Sequence, residues 1–397
     1  MSGIRRHWQA WRTDVKQLGI YIHIPFCVKK CVYCDFLSFP ADNAAKRTYM
    51  AALQEEIRAV ARDYSAYEVR SVFFGGGTPS CMEKELIGDC LLTVREQFCV
   101  ADDAEISMEV NPKTASLEKL EYFRKAGINR LSIGLQSADD RELKLLGRIH
   151  TYADFLDVYA WARQAGFQNI NIDLMSALPG QNLETWQKTL HSVLELEPEH
   201  ISAYSLIVEE GTPLFDRISQ YPPLPDEETD RLMYHETKRL LAAHGYTRYE
   251  ISNYAKKGFE SHHNQIYWQR GCDHISNYIG LGLGASSTVG NYRYKNTDSL
   301  SEYLTFCSTP EAFRCEVQYL SKQERMEEFM ILGLRRMEGI SEAEFQRTFQ
   351  VSLCSIYKET LSKWQAAGCL AKRDGFWFLT EQGIDVSNTV LADFMKI

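Results

Sequence analysis

The sequence lacks the long apolar segments that membrane insertion and secretion require. Nowhere in its 397 residues does an uninterrupted apolar run reach about 18 residues, which excludes a transmembrane helix. Residues 1–19 contain four lysines and arginines but no apolar core typical of a signal peptide. We therefore expect a cytoplasmic protein with reduced thiols, and we interpret residues 1–18 as a terminal extension.

The chain also lacks an excess of positive charge and an even number of cysteines. It has 44 lysines and arginines against 53 aspartates and glutamates, a formal net charge of −9. This balance argues against a nucleic-acid partner. The eleven cysteines are an odd number in a long chain, so a secreted disulfide framework explains them poorly. In a reducing compartment, clustered cysteines more often bind metal or carry out chemistry.

Short β-branched or apolar segments alternate with helical patterns over the first 245 residues. In the first helical segment, apolar residues from Tyr49 to Val60 recur every three or four positions. Such alternation predicts βαβ crossovers and an α/β fold, an incomplete TIM-type barrel of six βα units over residues 19–245. The predicted strands begin near Ile20, Ser71, Ile106, Leu131, Ile170 and Ile201.

We interpret residues 321–397 as a separate C-terminal module. Helices are predicted over 324–337, after a capping pattern at 341–344, and before Gly368. Asp374-Gly375 between two short apolar segments predicts a type I′ hairpin. Three helices and a hairpin indicate a winged-helix-like module, but its near-neutral charge argues against DNA binding.

Residues 246–320 are interpreted as a segment that links these two parts. This segment contains HHNQIYW at 262–268 and the glycine-rich YIGLGLGASS at 278–287. The chain shows no internal repeat of fixed period and no low-complexity tract.

The most specific signal is the set Cys27, Cys31 and Cys34, directly after the first predicted strand. Three thiolates within eight residues can surround a [4Fe–4S] cluster and leave one iron without a protein ligand. Zinc is the alternative on spacing alone, with His23 or a distant cysteine as fourth ligand. The other cysteines show no metal-binding spacing, and we interpret them as small core or half-buried residues: Cys81, Cys90, Cys99, Cys272, Cys307, Cys315, Cys354 and Cys369.

Glycines and polar residues follow at the ends of the next predicted strands. Residues 75–78, Gly-Gly-Gly-Thr, let a backbone approach a ligand closely and expose N–H groups to it. Glu109, Gln136 and Asp173 lie on the third, fourth and fifth strands, and Arg148 follows the fourth. The C-terminal ends of barrel strands converge on one mouth. Any one of these polar residues could simply cap a strand. Because polar residues recur at the same end of successive strands, the pattern predicts a binding site.

These features resemble the radical S-adenosylmethionine (SAM) superfamily. There, C-x₃-C-x₂-C after the first strand holds a [4Fe–4S] cluster whose open iron binds SAM, and an electron from the cluster yields a 5′-deoxyadenosyl radical. The segments YIHIPFC, FFGGGTPS, NRLSIGLQS, LGRIH and HN-x-x-YW resemble the HemN/HemW branch, which contains oxygen-independent coproporphyrinogen III oxidase and a haem chaperone. The similarity runs over residues 19–290, and the C-terminal module resembles the HemN-type C-terminal domain.

The resemblance implies a role for each matching residue. Cys27, Cys31 and Cys34 would hold the cluster. The positions that match SAM contacts in the family are Tyr21, Tyr33, Gly76, Gly77, Thr78, Glu109, Gln136, Arg148 and Asp173.

Two features distinguish the chain from the oxidase of this branch. The oxidase has a further cysteine two residues after the last cluster cysteine, where this chain has Phe36. It also has a long N-terminal extension, whereas 26 residues precede Cys27 here. The chaperone type instead carries HN-x-x-YW, present as residues 263–268, although the segment GCDHISNYIG that follows is slightly longer than the usual link.

His263 in this motif has two interpretations. An imidazole can ligate haem iron, and Tyr267 and Trp268 can pack on a porphyrin face. On residue chemistry alone, a hydrogen-bonded histidine beside two core aromatics is simpler. The motif match favours the haem ligand, with the neighbouring His262 as a second candidate.

We therefore expect a haem chaperone that binds haem, a [4Fe–4S] cluster and SAM and passes haem to an acceptor protein. The alternative is the oxidase, a radical SAM enzyme that decarboxylates coproporphyrinogen III propionates. A zinc-binding regulator with a winged-helix reader is a distant third. The first two interpretations are compatible with an electron donor such as flavodoxin or ferredoxin. They are also compatible with either a monomer or a homodimer.

Overall fold

The structure, a computed structural model, describes residues 16–269 and 276–395. Most of the predicted N-terminal extension and the lengthened part of the link after Trp268 lie outside the described residues. The described strands are β1 (Lys16–Ile24), β2 (Tyr67–Gly76), β3 (Cys99–Val110), β4 (Arg130–Gln136), β5 (Ile170–Ser176), β6 (His200–Ser205), β7 (Thr247–Arg248), β8 (Asn253–Ala255), β9 (Asn277–Leu281), β10 (Ser286–Val289), β11 (Tyr292–Asn296), β12 (Arg314–Tyr319), β13 (Ile340–Ser341), β14 (Leu370–Arg373) and β15 (Phe376–Leu379).

The α-helices lie between these strands and after them. They are α1 (Asn43–Ala61), α2 (Lys84–Gln97), α3 (Leu117–Ala126), α4 (Asp140–Leu145), α5 (Tyr152–Gln164), α6 (Leu183–Leu194), α7 (Pro213–Asp216), α8 (Glu227–Ala243), α9 (His262–Trp268), α10 (Leu300–Phe306), α11 (Lys322–Gly333), α12 (Glu342–Phe349), α13 (Leu353–Ala366), α14 (Glu381–Asp385) and α15 (Ser387–Ala392). None of these described helices is both long and apolar enough to cross a membrane.

One large sheet organises residues 16–269 and 276–320. Strands β1 to β6 are parallel neighbours in chain order, and β9 pairs in parallel with the other edge of β1. Antiparallel strands extend the sheet on both sides, β10 to β12 beyond β9 and β8 and β7 beyond β6. Among the described residues the sheet does not close into a barrel. The predicted six-unit incomplete α/β barrel is therefore confirmed.

Apolar patterning builds the core in the way that the sequence predicts. Helix α1 turns Tyr49, Leu53 and Ile57 toward the sheet, and all three side chains are fully buried. Burying one such side chain contributes about 1.5–3 kcal/mol. In α6, the buried indole of Trp186 donates to Thr237 Oγ1 of α8 at 2.8 Å, which satisfies its single polar group.

The C-terminal module contains the three predicted helices and the hairpin, and its described residues add the strand β13 and the short helices α14 and α15. Helices α11, α12 and α13 pack against the small sheet β13-β15-β14. Helix α11 begins at Lys322 behind a Ser321–Glu324 capping box. Asp374 and Gly375 have φ of 53° and 82°, and positive φ at both central residues is what a type I′ turn requires.

Residues 246–320 contribute strands β7 to β12 to the large sheet. The buried carboxyl group of Glu56 on α1 joins this segment to the first strands. It accepts hydrogen bonds from Gly282 N (2.8 Å), Asn296 Nδ2 (2.7 Å) and Tyr303 Oη (2.6 Å). Gly282 N and Tyr303 Oη donate to this carboxyl group, and Asn296 Nδ2 also donates to Gly282 O, so Glu56 holds the strands after β9 against α1.

We predict that Glu56→Ala lowers the free energy of unfolding by about 3 kcal/mol, because a buried donor left without its partner costs about 1–3 kcal/mol. Urea denaturation followed by circular dichroism measures the change. The matched control is Glu55→Ala, which removes an exposed carboxylate paired with Arg58 and should cost under about 1 kcal/mol. Equal stability of the two variants would contradict this assignment.

Candidate functional site

The three clustered cysteines lie on a loop whose ends are joined by backbone hydrogen bonds. Cys27 N donates to Phe39 O at 3.1 Å, and Phe39 N donates to Pro25 O at 2.9 Å. The rings of Phe26 and Phe39 pack edge to face beneath this junction, with centroids 5.6 Å apart. The loop therefore leaves the C-terminal end of β1 and returns to the same place, which confines its thiols to this end of the sheet.

The glycines after β2 determine how closely the two loops approach. Gly77 N donates to Ile24 O and Thr78 N donates to Phe26 O, both at 2.8 Å. A Cβ atom at Gly77 would lie 2.7 Å from Phe26 O, so any other residue would push the strands apart. Because these backbones are adjacent, Cys27 Sγ lies 3.4 Å from Thr78 Oγ1.

Most of the predicted site residues line a single pocket at this end of the sheet. Its volume is about 140 Å³, which is below the ~300–1,000 Å³ of typical small-molecule sites. The predicted residues that line it are Cys27, Cys31, Tyr33, Cys34, Gly76, Gly77, Thr78, Glu109, Gln136, Arg148 and Asp173.

A half-buried arginine reaches the thiols from the fourth βα unit. Arg148 Nη2 donates to Gly134 O at 2.6 Å, and Nη1 lies 3.6 Å from Cys31 Sγ. Its buried Nε has no partner in the described part of the chain. A guanidinium next to thiols stabilises the thiolate form that binds iron. Burial, together with the neighbouring Cys31 and Cys27, raises the pKa of Cys34, so metal binding must displace its proton.

Two half-buried carboxyl groups, Glu109 and Asp173, also line the pocket. Glu109 Oε2 accepts from Gly76 N at 3.1 Å, and Asp173 accepts from Ser132 Oγ at 2.9 Å and Asn171 Nδ2 at 2.7 Å. Burial raises the pKa of Glu109 to about 8, and the nearby Asp173 adds to this effect. Burial also raises the pKa of Asp173. A positively charged ligand in this pocket would favour the ionised form of both groups.

Gln136 has a backbone conformation that side chains rarely adopt. Its φ is 74°, next to a register shift that follows Gly134 in the β4–β5 pairing. Such a conformation costs about 1–3 kcal/mol and often marks a functional position. Gln136 Oε1 accepts from Tyr204 Oη of β6 at 3.1 Å. Tyr204 is not among the predicted site residues, although its place on the sixth predicted strand is a signal for this end of the sheet.

Tyr21 and His263 do not line this pocket. Tyr21 lies beside it: its ring and Glu109 Oε1 lie 3.1 and 3.2 Å from the place that a Cβ atom at Gly75 would occupy, and its hydroxyl is 3.1 Å from His23 Nδ1. His263 is buried, with Nδ1 2.8 Å from Ser71 Oγ and Nε2 2.8 Å from Tyr267 Oη. Burial lowers the pKa of His263 to about 4, so its ring is neutral. Both ring nitrogens are in use, and direct haem ligation by His263 stays a prediction that requires one bond to break.

Helix α9, which carries the HN-x-x-YW motif, is held at its N-terminus by a buried carboxylate. Glu105 accepts hydrogen bonds from Ser261 Oγ, His262 N and His263 N at 3.0–3.2 Å. Burial opposes ionisation, but the nearby Arg130 guanidinium and these backbone donors lower the pKa of Glu105 overall. No local pattern marks Glu105 in the sequence, because its partners lie more than 150 residues further along the chain.

The aromatic residues of this motif point to different places. Tyr267 packs against Tyr278, with ring centroids 4.7 Å apart, whereas Trp268 lies under the guanidinium of Arg335 at 5.0 Å. The expectation that both rings share one porphyrin face is therefore not met in this arrangement. His262 is exposed to solvent.

For the zinc alternative, His23 is not a ready fourth ligand. Both ring nitrogens of His23 are hydrogen-bonded, one to Tyr21 and one to Leu37 O. Within residues 16–269 and 276–395, no three His, Cys, Asp or Glu side chains are grouped to hold one metal ion. A four-iron cluster is larger than an ion, and three thiols at one pocket with an adjacent guanidinium suit it as a donor set.

The other cysteines follow the expectation only in part. Cys90 and Cys369 are buried and Cys81 and Cys307 are half-buried. The expectation is wrong for three residues, because strand or helix faces turned to solvent place Cys99, Cys315 and Cys354 at the surface. Cys272 lies outside the described residues. All cysteines that the structure describes are free thiols.

Comparison with known proteins identifies the family. Residues 21–193 match the radical SAM superfamily, and residues 320–386 match the HemN C-terminal domain. The chain is 33% identical over 377 residues to the heme chaperone HemW of Bacillus subtilis (strain 168). The aligned region covers 94% of this chain and 98% of the relative. The chain belongs to the HemW family of radical SAM proteins. The heme chaperone HemW of Escherichia coli (strain K12) is 35% identical over 386 residues, with 95% and 98% of the two chains covered.

A solved structure confirms the fold of this HemW-family chain. The coproporphyrinogen III oxidase HemN from Escherichia coli superposes with a TM-score of 0.84, over 96% of this chain and 91% of that chain. Its sequence identity of 24% makes this a likeness of fold alone. Membership of the radical SAM superfamily implies a [4Fe–4S] cluster and SAM. Cys27, Cys31 and Cys34 would hold the cluster, which supplies the electron for SAM cleavage when bound.

We predict that anaerobic reconstitution loads about four iron and four sulfide per chain. Cys27→Ala should abolish loading, since two remaining thiols cannot hold the cluster. Iron and sulfide analysis with the visible absorbance spectrum measures the result. Cys315→Ala, which removes an exposed thiol far along the chain, is the control and should load normally. Stoichiometric zinc in place of iron, or normal loading of Cys27→Ala, would refute this assignment.

We also predict that SAM binding at pH 7 releases about one proton, because Glu109 is protonated below its pKa and the sulfonium cation favours its ionised form. Affinity should therefore rise as the pH increases toward about 8, the pKa of Glu109. Isothermal titration of the cluster-loaded protein in buffers of different ionisation enthalpy measures the release. Glu109→Gln should reduce it and weaken binding, whereas Glu85→Gln on α2 should change neither. Unchanged proton release in Glu109→Gln would disprove the role of this carboxyl group.

Proposed function

We propose that this chain is a haem chaperone that binds haem, a [4Fe–4S] cluster and SAM and passes haem to an acceptor protein in the cytoplasm. The observation that carries the proposal is near full-length similarity, at 33–35% identity, to two proteins named heme chaperone HemW. Holding and releasing a ligand, rather than transforming it, is the task such a protein performs.

The geometry of the HN-x-x-YW helix supports this proposal. Glu105 fixes the start of α9, His263 is hydrogen-bonded to Tyr267, and the Tyr267 ring lines a cavity next to the cysteine loop. A motif that builds a cavity wall suits a ligand-binding role. An isolated structural helix would not need a buried carboxylate and a buried histidine to orient one tyrosine.

The oxidase is the alternative, supported by the similarity of fold to HemN. Decarboxylation of several propionates requires cations that recognise them at the pocket. Arg148, the arginine of the pocket, is already engaged by Gly134 O and Cys31 Sγ, although Lys29 and Lys30 also line the pocket. Phe36, where the oxidase has a cysteine, places an exposed phenyl ring at the pocket wall. The position of Phe36 favours the chaperone.

Two parallel measurements separate these functions. Cluster-loaded protein should bind haem at one per chain in an absorbance titration and release it to apomyoglobin. The same preparation, given coproporphyrinogen III, SAM and a reductant without oxygen, should form little protoporphyrinogen. Rapid conversion of coproporphyrinogen III would overturn the chaperone proposal in favour of the enzyme.

The His263 prediction is tested in the same titration. His263→Ala should weaken haem binding about tenfold, because it removes a ligand or frees Tyr267 from its hydrogen bond. His262→Ala, the exposed neighbour, is the matched control. An unchanged titration for His263→Ala would eliminate His263, and a loss confined to His262→Ala would identify His262 as the ligand instead.

A further inference from the structure

A second cavity of about 590 Å³ lies beside the cysteine loop. The loop after β1, helix α9 and the strands β9 to β11 surround it. Lys30 and Phe36 line both this cavity and the first pocket, so the two spaces are neighbours. Its volume lies within the range of about 300–1,000 Å³ that small-molecule sites occupy.

Aromatic rings form much of the wall of this second cavity. Tyr21, Tyr267 and Tyr278 line it, and the last two meet edge to face at an interplanar angle of 80°. Phe36, at the junction with the first pocket, leaves 67% of its surface exposed. A flat apolar ligand that covers this ring would remove it from water and stack on it.

Two ammonium groups stand at the same cavity. Lys30 Nζ donates to Phe36 O at 2.8 Å, and Lys295 Nζ lies 2.7 Å from Asp298 Oδ2. An ammonium group has three donors, so each lysine retains protons for the carboxylate of a ligand. Asp35 and Asp298 also line the cavity, and burial lowers the pKa of His23, which keeps that imidazole neutral. The lysines are therefore the cations available to an anionic ligand here.

We propose that the second cavity is the tetrapyrrole site. The porphyrin ring lies against Phe36 and the Tyr267–Tyr278 pair, and its propionate carboxylates bind Lys30 and Lys295. This inference rests on the proposed haem-binding function and adds the location of the bound ring. In this arrangement His263 is a positioning residue, since it holds Tyr267 in the wall through the 2.8 Å contact between Nε2 and Oη.

The test uses two metal-free probes, protoporphyrin IX and its dimethyl ester, so that ring binding is measured without iron ligation. Fluorescence titration of the full chain gives dissociation constants. Lys295→Ala and Lys30→Ala should each weaken protoporphyrin IX binding about threefold to tenfold, because one charge-assisted contact is lost. Phe36→Ala should weaken both probes about tenfold, because the stacking surface is lost.

The controls match each variant in chemistry and exposure. Lys188→Ala on α6 and Phe376→Ala on β15 remove an exposed lysine and an exposed phenylalanine that do not line the cavity, and should leave both titrations unchanged. Lys295→Arg keeps the charge and should restore binding of the acid. His263→Ala should weaken both probes although neither contains iron, which a role limited to iron ligation would not produce.

The outcomes separate this inference from the proposed function. If the wild-type chain binds neither haem nor the porphyrins, the proposed function fails. If it binds them and the Phe36 and lysine variants bind equally well, the function stands and the second cavity is not the site. If the dimethyl ester binds as tightly as the acid, the assignment of the lysines to the propionates is wrong. Selective loss of acid binding in the lysine variants supports the proposal.

Discussion

The hydrogen bonds between the backbone after β1 and the glycine turn after β2 are the constraint on which the site depends. Gly77 N and Thr78 N reach the carbonyls of Ile24 and Phe26, and only glycine leaves room for this approach. These bonds continue the parallel β1–β2 pairing beyond the last ladder pair. They hold the start of the cysteine loop against the second strand and thereby place the thiols beside the ends of the other parallel strands.

The pocket brings together groups that suit opposite charges. Arg148 Nη1 lies 3.6 Å from Cys31 Sγ. Glu109 and Asp173 line the same pocket, and burial raises both pKa values. The pocket thus offers thiols that can bind a metal cluster next to carboxyl groups that can bind a cation. A cluster together with the sulfonium of SAM satisfies both requirements, which is why the donor set suits the family.

Much of the fold follows from local patterns, whereas several site residues do not. Parallel strands buried on both faces produce continuous apolar segments, which make them recognisable in the sequence. Because the strands run in the same direction, Gly76, Glu109 and Gln136 can be placed at one edge of the sheet even when the loop conformations are unknown. Glu105 and Tyr204 escape prediction because their roles come from contacts with distant segments. The left-handed backbone conformation at Gln136 could not be predicted from the sequence either, because glutamine rarely adopts positive φ.

The sequence by itself determined the features that depend on neighbouring residues, among them the cysteine spacing, the glycine turn, the Asp374-Gly375 hairpin and the alternation of strands and helices. Only the tertiary structure decided which distant groups meet. It buried His263 between Ser71 and Tyr267 and enclosed a second cavity between the cysteine loop and α9. The physical reason is that such contacts join segments far apart in the chain, and their distances depend on sheet register and helix packing rather than on local conformational preference.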